Sequence, residues 1–443
     1  MHYFTLNYEA DKMLNDKGGK MASGQKIGWK TAMSLVIANM IGTGVFTSLG
    51  YQLVEVQNSW TIILLWLLGG VLALIGAFSY AELGTSFKES GGDYIFLSRL
   101  LHPFLGYLYA WVSLTVGFAA PVAIAALAMN QYLSPFGDFW SSSLLAVGVI
   151  ISMSLLHSFS VRQSGWVQNL YTLVKALFVL ALIGLGYYFL PYEGNAQEWG
   201  NAWQSEIWLP GFAVSLVYVT YAYTGWNSAA YIVEEIEEPA RQLPKALIGG
   251  TVGVVVVYLL LHMVFLRQAS VAQLSGEVEV ATIAFTNVMG TGGAKWVSAF
   301  IAIQLLATIS GYLWVGSRVT FAMAREHRLW SFLASQNARG VPARALWLQT
   351  IISILLLFSG TFEQVMLYAG FVLQLMGTLS ILALLWLKRG PNTYASPFRP
   401  WAQIIYLLVS LWILGFMLYE RPYESLIGLG IVLLGGLTYF VKR

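Results

Sequence analysis

The chain has 443 residues, of which 57% are hydrophobic and 10% are charged, and its net charge is +3. A soluble domain carries about 25% charged residues, so this composition excludes a soluble globular protein, and the small net charge gives no indication of nucleic-acid binding. The chain has no cysteine, which excludes disulfides, thiolate metal sites, cysteine nucleophiles and a disulfide-linked partner subunit.

Long apolar runs recur along nearly the whole chain and predict an all-α polytopic membrane protein. A run of about 20 residues crosses a ~30 Å hydrocarbon core as a helix, so membrane lipid is an expected partner. We predict about twelve transmembrane helices, at 30–49, 61–81, 104–130, 141–159, 165–190, 211–234, 246–267, 295–324, 345–360, 364–387, 401–419 and 424–440.

The placement of basic residues predicts the orientation of these helices. Residues 1–29 are polar and contain lysines, which indicates a cytoplasmic N-terminal tail rather than a cleavable signal peptide. With the N-terminus inside, the inner segments hold 20 of the 24 Lys and Arg residues, and the outer segments hold only Arg267, Lys295 and Arg421. Cytoplasmic segments are enriched in Lys and Arg, so both termini are predicted to be cytoplasmic, in a multi-pass protein of the cytoplasmic (inner) membrane.

The first run contains Ile41-Gly42-Thr43-Gly44-Val45-Phe46, which is poor material for a continuous helix. Glycine costs about 1 kcal/mol relative to alanine in a helix, and in lipid the freed N–H and C=O groups have no water to bond. Such a break survives where it is buried in protein or lines a wet cavity, so we predict that it presents backbone donors to an anionic group. Close helix packing on small residues is the alternative explanation.

The sixth run is interrupted in the same way, within Tyr218-Val219-Thr220-Tyr221-Ala222-Tyr223-Thr224-Gly225-Trp226-Asn227-Ser228. Paired interruptions at corresponding positions of two halves indicate a transporter binding site. The breaks lie in the first and sixth predicted helices, an offset of five, and an odd offset inverts one half relative to the other. Helix N-termini favour a carboxylate and free carbonyls favour an ammonium. An amino acid carries both groups.

One lysine lies deep within a predicted helix. Lys175 is about ten residues into the fifth run, or ~15 Å along a helix, where a charge indicates a functional site. The alternative is a structural lysine bound by carbonyls of the broken first helix. His157 and His262 lack further ligands at metal spacing, and no nucleophile elbow or phosphate loop is present. We therefore predict no metal, no cofactor and no enzymatic activity.

Several spaced motifs between about residues 26 and 440 are similar to those of a known family. They are Gly42-Thr43-Gly44-Val45-Phe46, Tyr80-Ala81-Glu82-Leu83-Gly84 with Ser90-Gly91-Gly92-Asp93-Tyr94, Gly225-Trp226-Asn227 with Glu234-Glu235-Ile236, Leu243-Pro244-Lys245-Ala246, and Ser317-Arg318. Together they resemble the amino acid–polyamine–organocation (APC) superfamily, and within it a prokaryotic homologue of the L-type amino acid transporter branch.

This resemblance implies a LeuT-like fold with a five-plus-five inverted repeat. Helices 1–5 would occupy 30–190, helices 6–10 would occupy 211–387, and two further helices would occupy 400–440. The substrate carboxylate would be held by Ile41, Gly42, Thr43 and Gly44, and its amino group by Tyr221, Ala222, Tyr223 and Gly225, with Trp226 and Asn227 in support and Tyr221 as an aromatic gate.

In the same resemblance, Lys175 matches a lysine that stands where sodium-dependent relatives bind their second sodium ion. Its ammonium would contact carbonyls of helix 1 and hydroxyls of helix 8 such as Ser317. Sodium coupling is therefore not expected.

These features predict a sodium-independent secondary transporter that moves small neutral L-amino acids by alternating access, as an exchanger or a proton-coupled symporter. A neutral substrate is favoured because the sequence places no acidic side chain near the breaks. One alternative is a polyamine or cationic amino acid permease. Another is a membrane amino acid sensor that binds without transporting.

Overall fold

The computed structural model of the protein describes residues 26–140, 142–159, 165–192 and 199–441. Most of the predicted N-terminal tail, 1–29, lies outside these ranges. Within them the chain forms helices and turns, and its only β pairing is an isolated bridge between Ile27 and Ile236. The predicted all-α class is therefore confirmed for the part of the chain that the structure describes.

We number the long helices α1 to α12 in chain order. They are α1 (Trp29–Met40, continued by Gly44–Thr47 and Leu49–Glu55), α2 (Ser59–Phe87), α3 (Pro103–Val112 and Ala119–Leu133), α4 (Ser143–Phe159), α5 (Gly165–Tyr188), α6 (Pro210–Ala222 and the 3₁₀-helix Ser228–Glu235), α7 (Pro239–Gln268), α8 (Val280–Glu326, kinked at Gly290), α9 (Ala343–Phe358), α10 (Phe362–Leu384), α11 (Trp401–Glu420) and α12 (Pro422–Val441). A short helix, Asp93–Leu100, lies between α2 and α3.

The lengths and apolar composition of these helices indicate several membrane crossings. Within the described ranges, seven of them are long and apolar enough to span a bilayer, namely α2, α3, α7, α8, α10, α11 and α12, and α1 is an eighth if its bent parts, at 50° to each other, form one span. Four shorter apolar helices lie in α4, α5, α6 and α9. The chain is thus a multi-pass membrane protein.

Several helices extend past the predicted apolar runs at their polar ends. The second run was predicted at 61–81, whereas α2 covers Ser59–Phe87. The seventh was predicted at 246–267, whereas α7 begins at Pro239. Proline suits the first turn of a helix because no hydrogen bond is lost there. Hydropathy alone leaves out such polar turns.

A buried carboxylate organises the end of the bundle at which Ile27 lies, which we call the tail end. Glu82, in α2, is fully buried and accepts hydrogen bonds from Arg389 Nε at 2.8 Å, Arg399 Nη1 at 2.5 Å and the backbone N–H of Ser396 at 2.9 Å. Arg399 also donates to the carbonyl of Leu384, the last residue of α10. The 388–399 segment is therefore fixed to both α2 and α10.

Arg399→Leu is expected to lower the free energy of unfolding by about 2 kcal/mol, because it leaves a buried charge without one of its partners. Arg389→Leu is the matched control. The Arg389 side chain is 46% exposed, against 12% for Arg399, so its loss should cost less than half as much. Thermal unfolding of the two variants in detergent measures the difference. Equal melting temperatures would contradict this account of the ion pair.

A second cluster lies at the opposite end of the bundle, which we call the far end. Arg421, between α11 and α12, pairs with Glu55 of α1 at 2.5 Å and with Glu363 of α10 at 3.4 Å. Tyr218 of α6 donates to Glu363 at 2.7 Å. Arg421 therefore links α1 to α10 at the far end, and Tyr218 of α6 joins the same cluster through Glu363.

Candidate substrate site

Both predicted helix breaks are present. Helical structure stops at 41–43 in α1 and at 223–227 in α6. In the second break Gly225 has a φ of +106°, a left-handed conformation that favours glycine. α7 packs along α2 and the first part of α1, and α8 packs along α3. Because the breaks are enclosed by other helices, their freed backbone groups need partners inside the protein.

The two breaks lie directly against each other. A Cβ atom added to Gly44 would lie 2.6 Å from Ala222 Cα, and one added to Gly225 would lie 2.7 Å from the backbone carbon of Asn39. Each glycine therefore allows the backbone of the other broken helix to approach. Close helix packing, the alternative considered for the first motif, accounts for glycine at position 44 and, together with the positive φ, at position 225.

Gly42 has a different environment from Gly44. The nearest atom to a Cβ added at Gly42 is the Met40 carbonyl oxygen, 3.9 Å away, and Gly42 lines a small cavity together with Ile41 and Phe46. The N–H groups of Gly42, Thr43 and Gly44 donate no backbone hydrogen bond outside the helices of the described chain. All three are therefore backbone donors at the break, and Gly42 lies beside the cavity.

A tyrosine of α7 connects the carbonyl groups of the two breaks. The Tyr258 hydroxyl is fully buried and lies 2.5 Å from the Met40 carbonyl oxygen and 3.3 Å from that of Ala222. Each of these residues ends a helical segment, where carbonyl groups lack partners. Sequence reasoning missed Tyr258. The available signal was a hydroxyl near the middle of the predicted apolar run 246–267.

Lys175 joins α5 to the break in α1. Its side chain is buried, and its Nζ lies 3.3 Å from the Ile41 carbonyl oxygen and 3.3 Å from Thr308 Oγ1 on α8. The same cavity that Gly42 lines is bounded by Lys175 and Gln304. The lysine therefore contacts a helix 1 carbonyl and a helix 8 hydroxyl, the two kinds of group named in the prediction.

The hydroxyl that contacts Lys175 is not the predicted one. Ser317 donates to the carbonyl of Trp314 at 3.0 Å, and it follows Thr308 by nine residues, which is about 13 Å along a helix. The prediction of Ser317 as a Lys175 partner is therefore wrong. Depth in the membrane would have identified the correct hydroxyl, because Thr308 lies near the middle of the predicted run 295–324, as Lys175 does in its own run.

Two of the predicted tyrosines on α6 point in different directions. Tyr221 is buried, and its hydroxyl lies close to the Thr43 side chain of the α1 break. Tyr223 instead donates to the carbonyl of Trp66 on α2 at 3.0 Å. The structure therefore brings Tyr221 next to the α1 motif and uses the Tyr223 side chain to hold α6 against α2.

Trp226 and Asn227 extend from the α6 break toward the tail end. The Trp226 ring meets Tyr80 edge to face, with centroids 4.7 Å apart. Asn227 Nδ2 donates to the Tyr231 hydroxyl at 3.1 Å. These two predicted supporting residues connect the break to the tail end of α2 and to the 3₁₀-helix of α6.

The membrane histidines have structural partners. His157 Nε2 lies 2.8 Å from Ser310 Oγ. His262 contacts the Tyr258 carbonyl at 2.8 Å and stacks on Trp66. Among the residues that the structure describes, no group of three or more His, Asp or Glu side chains is placed to hold a metal ion.

The chain is similar to known proteins over nearly its whole length. Residues 27–429 match a family model described as amino acid permease. The chain is 29% identical to the b(0,+)-type amino acid transporter 1 of Mus musculus, over 98% of this chain and 91% of the relative. It is also 29% identical to the large neutral amino acids transporter small subunit 2 of Homo sapiens, over 96% of this chain and 81% of the relative.

Proposed function

This chain belongs to the amino acid permease family of the APC superfamily, and we propose that it is a secondary transporter of small neutral L-amino acids. It would work by alternating access, without sodium, as an exchanger or a proton-coupled symporter. The relatives named above are amino acid transporters by their own names, which supports amino acids as the substrate class.

The observation that carries the proposal is the contact between the two broken helices. The N–H groups of Gly42, Thr43 and Gly44 have no backbone acceptor in the described chain, and Gly42 lines a small cavity, so these groups can donate hydrogen bonds to a carboxylate. The carbonyl groups at the end of the first α6 segment, near Ala222, can accept an ammonium group. These two groups are bonded to the same carbon in an amino acid, and the two breaks are in direct contact.

Two features support the neutral substrate and the absence of sodium coupling. Lys175 lines the cavity beside the α1 break, and in the described chain no carboxylate lines it, so a cationic side chain would meet a positive charge there. The Lys175 ammonium also contacts the Ile41 carbonyl and the Thr308 hydroxyl. Oxygen atoms of these two kinds would otherwise be available to a sodium ion.

We extend the proposal to the topology. Two breaks five helices apart, in α1 and α6, fit a LeuT-like arrangement of twelve spans with repeats at 30–190 and 211–387 and two added helices at 400–440. The count of 20 basic residues against three favours cytoplasmic termini in the inner membrane. The tail end would then face the cytoplasm and the far end the outside.

Uptake and counterflow in proteoliposomes test the proposed function. The purified chain is assayed against all common amino acids and putrescine, with and without sodium and with and without a pH gradient. We expect neutral amino acids to enter or exchange at equal rates with and without sodium. Flux of cationic substrates alone would instead identify a cationic or polyamine permease. Saturable binding without flux would identify a sensor.

A further inference from the structure

A buried carboxylate outside the proposed substrate site connects three helices at the tail end. Asp93 begins the short helix Asp93–Leu100 and is fully buried. One of its carboxylate oxygens accepts a hydrogen bond from Tyr80 of α2, and the other accepts one from Tyr231 of the α6 3₁₀-helix. None of the ion pairs in the described chain includes Asp93. Tyrosine hydroxyls therefore take the place of a cation.

Tyr231 is held on several sides. Its hydroxyl lies 2.5 Å from that of Tyr109 on α3, and its carbonyl accepts the backbone N–H of Gly91 at 3.3 Å. A Cβ added to Gly92 would lie 2.4 Å from the Tyr231 ring, and Gly92 has a φ of +53°. The two glycines that precede Asp93 thus let this segment close over Tyr231.

The same cluster reaches the α6 break by two routes. Asn227 donates to the Tyr231 hydroxyl. Its neighbour Trp226 packs edge to face on Tyr80, and Gly76 leaves room for the Trp226 ring, since a Cβ there would lie 2.6 Å from it. Both partners of Asp93, Tyr80 and Tyr231, therefore touch the break directly. If the α6 break moves, Tyr80 and Tyr231 must either move with it or lose their contacts to it.

We propose that Asp93 is a positioning residue for transport, an inference that rests on the proposed function. It fastens the 3₁₀-helix of α6 to α2 and α3, and so holds the tail end closed beneath the substrate site. Leaving an oxygen of a buried carboxylate without a partner is unfavourable, so loss of the Tyr231 contact has to be offset by water. Opening of the tail end then requires that Tyr231 leaves Asp93 as the carboxylate becomes hydrated.

Two substitutions weaken this fastening to different degrees. Asp93→Asn keeps the shape of the side chain but removes its charge and one acceptor. Tyr231→Phe removes one hydroxyl from the cluster. Tyr107→Phe is the matched control, because Tyr107 is a buried tyrosine of α3 whose hydroxyl bonds to Thr438 and Trp330 and makes no contact with Asp93.

A single reporter cysteine measures closure of the tail end. The chain has no cysteine, so Ser228→Cys supplies the only thiol. Ser228 is the first residue of the 3₁₀-helix, and its Oγ is buried without a hydrogen-bond partner. We expect Asp93→Asn and Tyr231→Phe to raise the rate of labelling by a membrane-permeant maleimide about tenfold. Loss of a hydrogen bond to a charged group commonly changes an equilibrium by about this factor.

Transport is measured on the same proteins. In the two variants kcat should fall about tenfold, because the tail end no longer closes firmly in each cycle, with KM changed less than kcat. Tyr107→Phe should match the reporter protein without further substitution in both assays. If that reporter protein transports but the Asp93 and Tyr231 variants label and transport as Tyr107→Phe does, the inference about Asp93 is wrong. If the reporter protein and the wild-type chain bind substrate without transport, the proposed function itself fails.

Asp93→Asn also tests whether the residue is needed only for folding. A variant that elutes as a single species and keeps the wild-type melting temperature, yet labels faster, supports a role in closure. If Asp93→Asn does not fold, Tyr231→Phe decides the matter, since it changes one atom and leaves the carboxylate in place. Slow labelling and wild-type kcat in a folded Tyr231→Phe would overturn the inference.

Discussion

Lys175→Ala is expected to lower the rate of amino acid transport about a hundredfold while weakening substrate binding much less. The Lys175 ammonium contacts the Ile41 carbonyl oxygen and the Thr308 hydroxyl. Removing it leaves a buried carbonyl at the α1 break without its partner and enlarges the cavity beside Gly42. A hydrogen bond from a charged group contributes about 1.5–3 kcal/mol, and about 2.7 kcal/mol is a hundredfold change.

Two control variants distinguish the loss of the Lys175 charge from a general destabilisation of the protein. Thr308→Val removes the second contact but keeps the lysine on the Ile41 carbonyl, so its effect on the transport rate should be about fivefold, as for a neutral hydrogen bond. Lys295→Ala removes an exposed lysine and should have no effect. Initial rates in proteoliposomes and equilibrium binding of the same substrate give the comparison. A Lys175→Ala protein that transports at the wild-type rate at every pH would make this lysine merely structural.

Gly44→Ala is expected to damage the proposed substrate site more than Gly42→Ala, although both add one methyl group to the same motif. The added Cβ at Gly44 would lie 2.6 Å from the Ala222 backbone, so the two broken helices have to move apart. Overpacking of this kind costs about 2 kcal/mol, which corresponds to a roughly thirtyfold loss of substrate affinity if the strain is relieved at the site.

Gly42→Ala is the control for this pair. Its Cβ has no neighbour closer than 3.9 Å, so the protein should keep its melting temperature. Because the methyl group lies beside the cavity that Gly42 lines, substrate affinity should change only about twofold to fivefold. Melting temperatures and substrate Kd values of the two variants measure the contrast. Equal effects at the two positions would contradict the different roles assigned to these glycines.

The positions of the two helix breaks, which depend on neighbouring residues only, were predicted correctly from the sequence. A glycine pair in the first run and Gly225 in the sixth interrupt their helices as expected, because the cost of glycine in a helix depends on neighbouring backbone alone. The buried position of Lys175 was predicted because its depth in the membrane follows from counting residues along one apolar run. Hydropathy likewise located the long helices, but it missed polar end turns, such as those at Pro239 and Phe87, and the first 15 residues of α8, which begins at Val280 rather than at 295.

Predictions that required a choice between partners on different helices were less successful. Ser317 and Thr308 lie on the same helix and carry the same functional group, but only Thr308 is at the depth of the lysine. The glycines at 42 and 44 look equivalent in the sequence, but one lines a cavity and the other meets Ala222. Asp93 appeared only as part of a motif, without an assigned contact.

The sequence by itself therefore determined the class of this protein, the positions of its two helix breaks and the depth of the buried Lys175. A membrane helix makes its backbone hydrogen bonds within its own segment. The length of the apolar runs and the positions of the glycines are therefore sufficient to predict these features. Only the tertiary structure decided which hydroxyl meets which carbonyl, as for Tyr258 with Met40, 218 residues apart. Such pairings depend on how the helices are rotated and at what depth they cross, and those quantities are set by the packing of the whole bundle.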